Sequence, residues 1–141
     1  MKRKISLTLL CSAFVFAVLP TAFAAMGTAV SQASMSKTNS TVGGELHYII
    51  SSQGTTKDIS SNVKASDIET LLSQAIITRN EKKITSKDMI DSNVKSLTAK
   101  LSDQREYGTG EWYVMARGKI YYSDGTSDDS VHSVSAVYTV Q

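Results

Sequence analysis

Catalysis or metal binding in this chain would have to be built from two histidines, a cluster of aspartates and many serines. Histidine is the common general base near neutral pH and a frequent metal ligand. The alternation of the flanking residues predicts His132 on the core-facing side of its strand and His47 on the outer side of another. The two are not expected to converge on one metal or one proton relay. Asp124, Asp128 and Asp129 offer hard oxygens, but their spacing is not that of a calcium loop and no bidentate Glu follows. A solvated hairpin tip is the expectation, and such a tip discourages association between sheet edges. No Gly-x-Ser-x-Gly elbow is present, and no Ser-x-x-Lys is followed by the partner motifs of the penicillin-binding kind. Ser36-Lys37 and Ser86-Lys87 are adjacent pairs without further context. Glu45 and Glu111 open strands, with nothing to bring them face to face across a glycosidic bond. Gly108-x-Gly110 runs into a strand, so it makes no phosphate cradle at a helix N-terminus. The chain is therefore read as a non-enzyme that uses neither cofactor nor metal.

A binding surface is a better prospect. The stretch Glu111–Tyr122 alternates strictly, with Trp112, Val114, Ala116, Gly118, Ile120 and Tyr122 on one side. The opposite side carries Tyr113, Met115, Arg117, Lys119 and Tyr121. Tyr, Met and Arg bury much area while keeping a polar or polarisable handle, which is why they are enriched in interface cores. These five residues are the candidate recognition face. Val131, Ser133, Ser135, Val137 and Thr139 are expected to extend it on the neighbouring strand. Arg79, Lys82, Lys83 and Lys87 form a basic cluster around Glu81, read as a solvated turn, with an anionic partner as the alternative.

These residues need elements to position them. Glu45–Ser51 alternates as a strand, and Gln53–Val63 reads as a loop. Ser66 and Glu69 have the spacing of a capping box. Ile68, Leu71, Leu72, Ala75 and Ile76 then follow at helical spacing. A second helix, capped by Thr85 or Ser86, is predicted from Ile90, Val94, Leu97 and Leu101. The closing pair of strands, Glu111–Tyr122 and Val131–Val140, has its apolar positions at even numbers in both. Residues opposed in a hairpin share a face, so the connection must have an odd length or a bulge, pairing Val114 with Ala136 or Tyr138. The expected architecture is α+β in the order β-α-α-β-β, with two helices packed on one face of a small antiparallel sheet. Residues 25–44, rich in Ser, Thr and Gly, are read as a flexible leader; a first strand or a partner-docking segment is the alternative. The single α+β domain would span 45–141.

The N-terminus carries an address. Lys2, Arg3 and Lys4 precede an apolar run, Ile5–Leu19, and Ala22-Phe23-Ala24 is a small-x-small cleavage signature. The one cysteine, Cys11, lies inside that run without the small residues a lipoprotein signal needs. Removing 24 of the 141 residues leaves 117. Of 15 basic residues 12 then remain against 13 acidic ones, so the formal charge falls from +2 to −1. That balance removes the electrostatic argument for nucleic acid or an anionic membrane as partner. The processed chain would have no transmembrane segment. A cysteine-free domain in an oxidising compartment would be held by its core alone.

The resulting expectation is a periplasmic or secreted, non-enzymatic module that binds another envelope or extracellular protein, as an inhibitor, an immunity-type protector or an accessory factor does. The alternatives are a structural or adhesive subunit assembling by strand addition, and a small-ligand carrier.

Overall fold

The structure, a computed structural model, describes residues 29–60, 65–105 and 109–139; the expected export signal, residues 1–24, lies outside them. They form seven antiparallel strands: β1 (Ala29–Val42), β2 (Glu45–Asp58), β3 (Ala65–Thr78), β4 (Lys82–Ser92), β5 (Ser96–Arg105), β6 (Gly110–Tyr122) and β7 (Ser127–Tyr138). One sheet has the order β1-β2-β5 and the other β4-β3-β6-β7. They stack as a sandwich, with β1 over β6 and β7, β2 over β6 and β3, and β5 over β3 and β4. The α+β expectation is overturned: the described residues contain no helix, and the second layer is a sheet.

Both predicted helices are strands, each for its own reason. In β3 the inward residues are Ile68, Thr70, Leu72, Gln74 and Ile76, all buried. Thr70 and Gln74 break the apolar alternation, while Leu71 and Ala75 on the other face complete a helix-like spacing. The two buried polar side chains are tolerated because each has a partner across the sandwich. Ser52 Oγ donates to Gln74 Oε1, and Thr70 Oγ1 lies 2.8 Å from Thr56 Oγ1 and 3.0 Å from the Leu97 carbonyl. The supposed capping pair is divided between other contacts. Ser66 Oγ lies 3.1 Å from the Tyr121 carbonyl, and Glu69 accepts from Tyr121 Oη at 2.9 Å. The supposed second stripe is split between two sheets. Ile90 is exposed on β4, Val94 sits in the link, and Leu97 and Leu101 are on β5.

The stretch expected as a flexible leader contains β1, which pairs with β2 from Ala29↔Asp58 to Val42↔Glu45. Gly43 and Gly44 close that hairpin at φ +60° and +85°, the left-handed pair a two-residue turn requires. The expected loop after Ser51 is strand as far as Asp58.

The core has two apolar clusters with a hydroxyl-lined waist between them. Tyr48, Ile50, Leu72, Ile76, Trp112, Val114 and Tyr138 pack in the first; Ile68, Leu97, Ile120 and Tyr122 pack in the second. At the waist, Ser31 and Thr56 face Ser130, Gly118 and Thr70. Ser31 Oγ lies 2.6 Å from Ser130 Oγ. A Cβ at Gly118 would collide with the side chains of Thr56 and Ser31, so only glycine lets the sheets approach this closely.

Candidate recognition face

Strand β6 is central in the four-stranded sheet and alternates without interruption, so its even residues are buried and its odd residues point away from the core. Trp112 is 3% exposed, and its Nε1 donates to Ser52 Oγ at 3.2 Å. Tyr113, Met115, Arg117, Lys119 and Tyr121 all lie on the outer side. The hairpin pairs even with even, as the shared parity of its apolar positions requires, through a turn at Ser123–Gly125. The register differs from that expected: Val114 meets Val134, and Ala136 meets Trp112. Asp124 ties the turn by accepting from Thr126 Oγ1 at 2.6 Å and Thr126 N at 2.9 Å. Those two bonds hold its carboxyl below the usual carboxylate range.

The five candidates separate into two halves. Toward one end, Tyr113 and Met115 stand between columns of small residues, Ser73 and Ala75 on β3 and Ser133 and Ser135 on β7. They line a shallow, open depression of about 240 Å³. Toward the other end the face is polar and internally paired. Arg117 lies 3.8 Å from Asp129, and Lys119 Nζ sits 5.1 Å from the centre of the Tyr121 ring. The hydroxyls of Tyr113 and Tyr121 donate to Glu111 and Glu69 at 2.7 and 2.9 Å. Each bond stabilises the neutral phenol, so both tyrosines are raised above the usual phenol range.

Sequence reasoning missed two members of this surface. Ile84 and Ile90 lie on the outer side of β4, where Ile84 pairs with Ala75 and Ile90 with Glu69. The β-branched run Ile84-Thr85 was the one local signal for a strand. Together with Tyr113, Met115, Val131 and Val137, they are the exposed large apolar side chains of the described residues, from 39% exposed at Met115 to 69% at Val137. All six belong to one face.

The other candidates are dispersed. His47 points to the outer side of the three-stranded sheet. His132 has core-facing parity on β7 yet is exposed, because an edge strand is only partly covered. Asp128 accepts from Tyr122 Oη at 3.3 Å, so the three aspartates engage different partners. Within the basic cluster, Lys83 reaches across the sandwich to Asp103 at 3.0 Å. Among the described residues no group of three or more His, Cys, Asp or Glu could hold a metal ion. The described residues also contain no helix long and apolar enough to cross a membrane.

No protein-family model matches the chain, and no curated protein does. Twenty-four chains of solved structures match it. One is an X-ray structure of a Northeast Structural Genomics Consortium target, at 7% identity and TM-score 0.46, covering 77% of this chain and 85% of that one. Another is the crystal structure of a protein from Archaeoglobus fulgidus, at 11% identity and TM-score 0.40, covering 79% and 98%. TM-scores this low do not assign a shared fold.

Proposed function

We propose that this protein is an exported, non-enzymatic module that binds another envelope or extracellular protein through the outer face of its four-stranded sheet. The observation that carries the reading is that the six exposed large apolar side chains of the described residues all lie on that face, interleaved with charged groups, and none on the other. Exposed apolar side chains collected on one face mark a candidate interaction site. Tyr113 and Met115 stand proud of small neighbours, which suits them as anchors entering a partner's pockets. Arg117, Lys119, Glu69 and Asp129 supply a charged rim that sets orientation. Export rests on the Lys2–Ala24 signature.

The test is capture of a partner from the producing cell's envelope and medium, with paired surface variants. Met115→Asp should abolish capture, because a carboxylate would be desolvated at the centre of the contact. Gln53→Asp, on the outer side of the other sheet, should leave capture unchanged. Equal capture by both variants would remove the face from consideration.

A further inference from the structure

The free edge of the four-stranded sheet at β7 differs from the edge at β4. Strand β4 carries Lys82, Lys83, Lys87, Asp88 and Asp91 in 11 residues, a density of charge that blocks edge pairing. From Ser130 to Tyr138, β7 has no carboxylate, lysine or arginine. Val131 (61%) and Val137 (69%) are exposed on this strand as Ile84 (62%) and Ile90 (64%) are on β4, so charge and not apolar exposure sets the two edges apart.

The hydrogen-bond parity of that edge follows from the hairpin. Tyr122 N donates to the Thr126 carbonyl at 2.9 Å, so 122 and 126 form a bonded pair. Bonded and non-bonded pairs alternate in an antiparallel ladder. The even-numbered residues of β7 therefore turn their main chain toward β6. Val131, Ser133, Ser135 and Val137 turn theirs outward.

We propose that β7 is a self-pairing edge, at which a second copy of this chain adds its own β7 antiparallel about a two-fold axis at Val134. In that register Val131 meets Val137 of the second copy and Ser133 meets Ser135, each pair exchanging two main-chain hydrogen bonds from groups with no ladder partner in the single chain. Like meets like in size and polarity on the outer side. On the inner side His132 meets Ala136, and these are the exposed core-facing positions of the strand. Attraction between charges does not select the register: Arg117 of one copy and Glu111 of the other share a row but lie three strand spacings, about 14 Å, apart, beyond the screening length. Asp129 falls opposite Thr139, clear of any other carboxylate. A register shifted by one bonded pair either sets Asp129 against Val137 or leaves Val137 against Ser133. The product joins two four-stranded sheets into one of eight, with both outer faces continuous.

The decisive measurement is sedimentation equilibrium of the purified protein and three variants. The unaltered protein should be a dimer at high micromolar concentration. Ser135→Pro removes an N–H that has no ladder partner in the single chain, so it should give a monomer whose melting temperature matches that of the unaltered protein diluted to its own monomeric range. Val137→Lys, at a position already exposed, should do the same. Val134→Cys, the single cysteine of the processed chain from Ala25, should oxidise to a covalent dimer, because residue 134 meets itself across the axis as a closely spaced non-bonded pair. A monomer at every concentration overturns the proposal, as does a dimer that survives both Ser135→Pro and Val137→Lys. A dimer that never cross-links through a folded Val134→Cys protein overturns it too. The proposal stands apart from the partner-binding reading, since Met115→Asp lies off the seam and should change capture without changing mass.

Discussion

The two outer faces of this sandwich are built by the same alternation on the same fold, yet the large exposed apolar side chains of the described residues lie on one of them alone. The three-stranded sheet shows water Gln32, Ser34 and Ser36 on β1, Ser51, Gln53 and Thr55 on β2, and Thr98, Lys100 and Ser102 on β5. Two of its cross-strand pairs are hydroxyl to hydroxyl, Thr55 with Thr98 at 2.9 Å and Ser51 with Ser102 at 3.2 Å. The four-stranded sheet shows water Ile84, Ile90, Tyr113, Met115, Val131 and Val137. Strand formation does not demand exposed apolar side chains, since the first sheet forms without large ones. The apolar face is therefore a property of this sheet's residues and not a by-product of sandwich construction.

The largest expected effect separates the inner from the outer side of β6. Trp112→Ala should cost about 3–5 kcal/mol, the range for truncating a large buried aromatic. It also takes the indole N–H away from the buried Ser52 hydroxyl. Tyr113→Ala, one residue on, should change stability by no more than about 0.5 kcal/mol. Denaturant unfolding of both variants checks this, and a reversal of the two would mean the sides are exchanged.

Next in size is the waist. Gly118→Ala forces Thr56 and Ser31 aside, and overpacking of this kind costs about 1–3 kcal/mol. An unchanged melting curve would show that the sheets can part there.

Smaller again is the exchange of outer-face chemistry. Gln53→Ile should hardly move the melting temperature but should raise binding of a hydrophobic dye, while Val137→Ser should lower it. Both substitutions lie at exposed positions, where stability effects stay within about 0.5 kcal/mol. If neither changes dye binding, exposed apolar area does not distinguish the faces.

The smallest effect is a titration. Glu111 and Glu69 raise the folded-state pKa of Tyr113 and Tyr121, so each contributes stability that is present below the unfolded phenol pKa and lost as pH rises through the folded value. Ultraviolet titration should show these phenols ionising above the usual range. Glu69→Gln should return Tyr121 toward it.

How far the sequence could be read depended on each strand's position in the sheets. On β6 every inward residue is apolar or glycine and every outward residue is large or charged, so period two is unambiguous and the two sides are legible from the chain alone. On β3 the same period is hidden, because Thr70 and Gln74 point inward and Leu71 and Ala75 outward. Only partners supplied by β2 and β5, distant in sequence, make those inward hydroxyl and amide groups tolerable. On β4 just Thr85 and Met89 are half-buried, too few to impose a period. The candidate residues on β6 follow from their alternation. Their neighbours Ile84 and Ile90 do not, because nothing local says which strand β3 accepts as its other neighbour.

By itself the sequence determined the parity of the last hairpin and the sidedness of Trp112 against Tyr113, because each depends on residues close in the chain. The tertiary structure alone decided that β3, β4 and β5 are strands, that a second sheet covers the even side of β6, and that six apolar residues from three strands share one open face. Those outcomes depend on pairings between distant segments. A buried polar side chain is acceptable only once its partner across the sandwich is in place, and no local pattern records that partner.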